Sequence, residues 1–177
     1  MSRSANEVAM FEQLLALATV QLFHSLGVDV AGVPGAGARP PVQVVASTMG
    51  FTERGVRAAI TLVLDRATVA ALYPDVELSA IGAARDACGE MANMLVGQLK
   101  NQLRSLGLTI QLGLPVTVVG DDFRVLPSSV GSSSWQVFEG AHGQALLRLD
   151  IQLDADFSFT TDAALDLSAD AGEALFF

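Results

Sequence analysis

Between Val8 and Val28, Phe11, Leu14, Leu15, Ala18, Leu22 and Leu26 recur at three- and four-residue steps. That spacing gathers them on one side of a helix. Glu12, Gln13, Gln21 and His24 interrupt the run. It therefore predicts an amphipathic helix lying on a core, not a span of about 20 unbroken apolar residues. Gly32–Pro41 is rich in Gly and Pro and predicts a connector. Its GxxGxG spacing lacks a preceding strand and a Gly-Lys-Ser/Thr, so it is not a phosphate loop. Val42–Phe51 and Val56–Leu64 are β-rich. In the second run Ala58, Ile60, Leu62 and Leu64 face one way, and Arg57, Ala59, Thr61 and Val63 the other. With Thr52-Glu-Arg-Gly55 between them, the two runs predict a β-hairpin. Asp65 is placed to cap a short helix through Leu72, which Pro74 stops.

The strongest helical signal runs from about Leu78 to Leu106, with Ser79 as a possible cap and Gly107 as a left-handed stop. Ile81, Ala84, Ala87, Met91, Leu95, Leu99, Leu103 and Leu106 form one apolar stripe along it. Strands are predicted at Thr109–Leu114 and Val116–Gly120, and a small polar loop at Ser128–Ser134. Trp135–Glu139 and Ala145–Leu153 predict a second hairpin, turning at Gly140–Gly143. Six or so strands with two long helices describe an α+β domain in two layers.

Composition narrows the function classes. The 177 residues include 10 basic and 19 acidic side chains, a net charge of −9, and one Cys. A phosphate-tracking nucleic-acid binder or a protein docking on an anionic membrane needs a basic surface, so both are excluded. One Cys forms neither an internal disulfide nor a thiolate zinc site. The first residues lack a charged segment leading into an unbroken apolar one, and the expected location is cytoplasmic. The acidity is uneven. Residues 154–177 hold six acidic groups and no base, whereas the other 153 residues carry 10 basic and 13 acidic groups. The chain thus divides into a domain over 1–153 and an acidic C-terminal extension over 154–177. The extension begins strand-like at Asp154–Thr160 and ends Ala174-Leu-Phe-Phe177. It reads either as a solvated tail or as a docking peptide.

Opposite the apolar stripe of the long helix stand Asp86, Glu90, Asn93, Gly97, Lys100 and Arg104, at steps of four and three residues. They form one line on one face. By spacing alone a solvated helix face is the better account of such a line, since charged faces are the rule. Two residues fit that account poorly: Asn93 has low helix propensity, and Gly97 costs about 1 kcal/mol relative to Ala. Gly97 would also allow close approach by another surface. Other candidates carry less. His24 and His142 have no carboxylate or Cys at ligand spacing and read as packed or solvated, so no metal site is expected. Gly131-Ser-Ser-Ser-Trp135 lacks a Gly-x-Ser-x-Gly elbow. Cys88 reads as a structural thiol, and Trp135 as a packing residue.

The run Asp86-Ala-Cys-Gly-Glu-Met-Ala-Asn-Met-Leu-Val-Gly97, followed by Gly113-Leu-Pro-Val-Thr-Val-Val-Gly120, resembles the CheC/CheX/FliY family of chemotaxis phosphatases. Their pattern is an acidic or Ser residue, Glu four residues on, Asn three residues further, then Pro some two dozen residues later. Asp86, Glu90, Asn93 and Pro115 match it. The 21 residues between Asn93 and Pro115 are one fewer than the pattern has, which implies a changed turn after the helix. Ser47-Thr-Met-Gly-Phe-Thr52, leading into Ala58–Leu64, also resembles the family's segment upstream. The likeness covers roughly residues 5 to 153.

The resemblance implies a two-layer CheC/CheX-like fold, an antiparallel sheet packed against two long helices. It also implies a phosphatase acting on the phospho-aspartate of a CheY-like response-regulator receiver domain. In that chemistry Asn93 orients the attacking water, and Glu90 contacts the receiver's Lys. Asp86, Gly97 and Pro115 support the site. The chain itself needs no cofactor, since Mg²⁺ is expected in the partner receiver. CheC- and FliY-type members carry a second motif on their first helix; here Glu12 is followed by Leu15, so the chain resembles the single-site CheX branch, which implies a homodimer. The alternative is a CheX-like receiver-docking or flagellar-switch-type adaptor without catalysis.

Overall fold

A computed structural model describes residues 3–34, 43–74, 81–121 and 131–159. In chain order the elements are α1 (Arg3–Ser25), β1 (Val30–Val33), β2 (Gln43–Glu53), β3 (Val56–Asp65), α2 (Arg66–Leu72), α3 (Ile81–Ser105), β4 (Gln111–Leu112), β5 (Val116–Asp121), β6 (Ser132–Gly140) and β7 (Gly143–Leu153). The strands form one antiparallel sheet in the order β1-β6-β7-β3-β2-β4, with β5 also paired to β2. This is the α+β arrangement expected, with seven strands and a third, short helix among the described residues.

Register decides which residues reach the core. Val45, Met49 and Phe51 of β2 lie across from Leu64, Ile60 and Ala58 of β3, and these in turn oppose Ala145, Leu149 and Ile151 of β7. All of them join one apolar cluster with Phe11, Leu15, Ala18 and Leu22 of α1 and Ala84, Met91, Leu95, Leu99 and Leu103 of α3. Both long helices therefore cover the same face of the sheet, and the alternation read in Val56–Leu64 is the one observed. The other face carries a smaller cluster of Val44, Ala46, Val63, Val137 and Leu146. Beside it Arg148 is buried, bonded to both carboxylate oxygens of Asp150 at 2.7 and 2.8 Å. Its guanidinium lies 5.6 Å from the centroid of the cross-strand Trp135 ring.

The helix limits follow their local chemistry. Asp65 caps α2, its side chain accepting from the Thr68 amide. Gly107 ends the α3 segment with φ 81°, and the Leu108 amide returns to the Leu103 carbonyl.

Several expectations are corrected. The connector predicted over Gly32–Pro41 begins inside β1, whose Gly32 and Val33 pair with Phe138 and Val137; four residues at an edge are too short a run for alternation to reveal. Ser132–Ser134 belong to β6, not to a loop, because β7 supplies partners out to Ile151. The strand predicted over Thr109–Leu114 shrinks to Gln111–Leu112. Asp154–Phe159 is a turn and an extended segment instead of a strand. Residues 35–41, the proposed Ser79 cap, Ser128–Val130 and the extension from 160 to 177 lie outside the described residues.

That turn has a packing consequence. The Asp154 amide donates to the Gly55 carbonyl and the Phe157 amide to the Asp154 carbonyl. Phe157 and Phe159 are thereby brought onto Phe11, with ring centroids 6.1 and 5.0 Å away. The core thus continues past Leu153 as far as Phe159. We expect Phe157→Ala to lower the unfolding free energy by about 3–5 kcal/mol. Leu114→Ala, on a side chain 88% exposed, is expected to change it by less than about 0.5 kcal/mol. Urea denaturation of the two variants checks both values.

Candidate functional site

The site is built where α3 crosses the β5 edge of the sheet. Ala84, Cys88, Met91 and Leu95 are buried against the strands. Heptad-like spacing then turns Asp86, Glu90 and Asn93 outward, and all three are exposed. Cys88 locks the helix down locally: its thiol points at the Val45 carbonyl at 3.8 Å, and burial pushes its pKa up to about 12. It stays a protonated packing group, not a nucleophile.

The sheet comes to meet these side chains through a bulge. Phe51 pairs with Leu112 and Thr48 with Val116, so Gly113, Leu114 and Pro115 span only Met49 and Gly50 on β2. One extra residue bends the edge strand away from a regular ladder. Pro115, which has no amide hydrogen, occupies the interruption, where no ladder bond is lost. The Gly113 amide still donates to the Gly50 carbonyl at 2.8 Å.

Between helix and bulge lies an open cleft of about 420 Å³, lined by Arg85, Asp86, Gly89, Glu90, Asn93, Pro115 and Thr117. The cleft brings together four residues expected from the sequence: Asp86, Glu90, Asn93 and Pro115. Gly97, one turn beyond Asn93, does not line it, and among the described residues no atom outside the helix's own backbone and its chain neighbours lies within 4 Å of where its Cβ would be. The close approach belongs to Gly89 instead, where a Cβ would sit 3.2 Å from the Thr117 hydroxyl. That hydroxyl is held from below by the Ser47 hydroxyl at 2.9 Å.

Three lining residues were not singled out by sequence reasoning. Gly89 carried a legible signal, since a mid-helix Gly is costly and calls for a steric reason. Thr117 carried none, because only the β2–β5 register sets it opposite Ser47. Arg85 adjoins Asp86 in sequence, and neighbouring helix positions do not ordinarily face each other. Its long side chain nevertheless returns to Asp86, with Nε and Nη2 each 3.2 Å from one carboxylate oxygen. Both partners are exposed, so the pair contributes little stability. Away from the cleft, His24 pairs with Asp29 at 3.1 Å and His142 lies exposed in the β6–β7 turn.

The sequence profile of the family described as chemotaxis phosphatase CheX matches residues 45–139, more than half of the chain and all of the cleft. The chain belongs to the CheX family. No curated protein matches it. Among solved structures, CheX from Vibrio vulnificus is 15% identical with a TM-score of 0.72, covering 81% of this chain and 99% of that one. A CheX from Desulfovibrio desulfuricans is 21% identical with a TM-score of 0.67 over the same shares. The CheX–CheY–BeF3–Mg²⁺ complex from Borrelia burgdorferi is 12% identical with a TM-score of 0.57, covering 82% of this chain and 97% of that one. At such identities the likeness is one of fold. It is a CheX fold, with the antiparallel sheet under two long helices expected from the motif. No helix among the described residues is long and apolar enough to cross a membrane.

The steric role of Gly89 is open to measurement. Ala at this position gains about 1 kcal/mol of helix propensity, but its methyl group meets the Thr117 hydroxyl. We expect Gly89→Ala to be more stabilising in a Thr117→Ala background than in the wild type, with a coupling of about 0.5 kcal/mol or more. A double-mutant cycle by denaturant unfolding reads the coupling, and additive values would remove the role.

Proposed function

We propose that this CheX-family chain accelerates hydrolysis of the phospho-aspartate of a CheY-like receiver domain, docking the receiver over the cleft between α3 and Pro115. The carrying observation is that Glu90 and Asn93 stand exposed, one turn apart, on the same wall of an open cleft.

The chemistry asks little of this chain beyond placement. Hydrolysis needs a water in line with the leaving carboxylate, while the receiver's own Mg²⁺ and Lys balance the phosphoryl charge. The Asn93 amide carbonyl accepts a hydrogen bond from that water, and its NH₂ donates to a phosphoryl oxygen. Asn93 therefore acts by positioning, not as a base. Glu90 pairs with the receiver's Lys and sets the amide in register, a contact that strengthens as water is excluded. Asp86 holds Arg85 at the cleft mouth and adds negative potential toward the receiver, and Pro115 shapes the opposite wall. No metal or cofactor of the chain's own enters this scheme. A homodimer, each copy with one cleft, completes the reading.

The test follows decay of a phosphorylated receiver. Asn93→Ala is expected to reduce the acceleration by about 10²-fold while leaving the fold intact. Glu90→Ala is expected to weaken receiver affinity by about 10-fold or more, from loss of a charge-assisted contact. If the wild type accelerates none of several receivers yet still binds them, the protein is an adaptor and the enzymatic reading fails.

A further inference from the structure

Ser47 is fully buried on β2, and its hydroxyl has one hydrogen-bond partner among the described residues, the Thr117 hydroxyl of β5 at 2.9 Å. Thr117 in turn has no other side-chain partner among them. Each hydroxyl carries one hydrogen, and only one of the two lies between the oxygens. If Thr117 donated, the Ser47 hydrogen would be left in the core without an acceptor, at the full desolvation cost of a donor. Ser47 therefore donates and Thr117 accepts. The Thr117 hydrogen is then left for another acceptor, and Thr117 lines the cleft. Gly89 uncovers it: a Cβ there would lie 3.2 Å from the same oxygen, so the missing side chain opens the hydroxyl to the cleft as well as seating the helix. Gly89 and Asn93 are four residues apart, about 6 Å along the helix axis, and helix side chains lean toward the N-terminus. The Asn93 amide and the Thr117 hydroxyl thus border the same volume. Of the other polar side chains in the lining, Asp86 and Glu90 only accept as carboxylates and Arg85 is drawn to Asp86. Asn93 and Thr117 are the pair left to donate to an anionic oxygen.

We propose that Thr117 is a second substrate-binding donor: its hydroxyl donates to a phosphoryl oxygen of the docked phospho-aspartate, beside the oxygen that accepts from the Asn93 NH₂. The proposal rests on the receiver-docking reading above and extends the site from α3 to the sheet. A phosphoryl group offers several oxygens, so two donors on opposite walls fix an orientation that one donor leaves free to rotate. Ser47 is the positioning residue behind the donor, since giving its own hydrogen to Thr117 is what turns the Thr117 hydrogen outward.

Removing the Thr117 hydroxyl alone would orphan Ser47, so the test is made in a Ser47→Ala background. There Thr117→Ser and Thr117→Ala differ by a single oxygen atom, and their Tm values are expected to agree within a few degrees. The Ser variant is expected to bind a receiver loaded with beryllofluoride and Mg²⁺, a phosphoryl mimic, about 10-fold more tightly than the Ala variant, as for a hydrogen bond to a charged group. With the same receiver lacking mimic and phosphate, the two are expected to bind equally. Acceleration of phospho-receiver decay is expected to follow the first comparison. Equal affinities for the mimic-loaded receiver overturn the proposal. A loss of the same size with both receiver forms also overturns it, because the hydroxyl would then serve the receiver surface and not the phosphoryl group. Thr117→Ser in the wild-type background keeps both hydroxyls and is expected within about two-fold of wild-type affinity; a loss as large as that of the Ala variant would make the effect one of packing. If the wild type binds neither form of any receiver, the docking reading fails and this proposal with it. Wild-type binding with no difference between the Ser and Ala variants removes the Thr117 role alone.

Discussion

One helix has to satisfy two surfaces at once. The inner face of α3 must lie deep enough on β2 and β5 to bury Cys88, Met91 and Leu95, and its outer face must hold Asp86, Glu90 and Asn93 beside Pro115. A rigid cylinder cannot adjust these independently: moving it outward opens the core, and rotating it by one residue turns each side chain through about 100°. Gly89 sets the depth, because a Cβ there would press on the Thr117 hydroxyl at 3.2 Å and the helix or the hydroxyl would have to give way. Thr117 is in turn held by Ser47, a polar contact under a site whose surroundings are apolar. The position of Asn93 relative to the opposite wall follows from that seat.

The opposite wall is an edge strand, which is a poor place to build a precise surface unless something interrupts its pairing. The bulge at Gly113–Pro115 does so. It divides the edge into β4 and β5, both still paired to β2, and directs Leu114 outward and Pro115 toward the helix. A proline in an unbroken ladder would waste a backbone acceptor; here its fixed φ and missing donor suit the interruption.

How much of this was legible depended on the range of the interaction concerned. The apolar stripe of α3, the β2–β3 hairpin and the Asp65 cap are written in residues a few positions apart, and periodicity exposes them. The line Asp86–Glu90–Asn93 is local in the same sense. The partners across the cleft are not. Thr117 becomes part of the floor only through the β2–β5 register, and β1 is a strand only because β6 extends far enough to pair with it. Phe157 and Phe159 sit in an acidic, alternating stretch whose composition describes solvent exposure, yet a single turn at Asp154–Asp156 returns both rings to Phe11. Gly97 shows the converse error. The cost of glycine in a helix was read correctly, but it was assigned to a position with open space around it, while Gly89, two turns earlier, was the one under contact.

The composition of the cleft also bears on the kind of work such a site can do. Its lining offers an amide, two carboxylates, a guanidinium and a hydroxyl. General-base chemistry at neutral pH would call for a carboxylate buried among apolar groups or crowded by a like charge. Glu90 and Asp86 are instead solvent-exposed, and Asp86 has Arg85 across it. The group that is strongly desolvated, Cys88, points away from the cleft into the sheet. What α3 offers a bound partner is thus a set of fixed positions on a rigid mount, with little stored reactivity. Under the proposed reading, in which the partner's cation already balances the phosphoryl charge, fixed position is the component still missing, and a helix seated on Thr117 is suited to supply it.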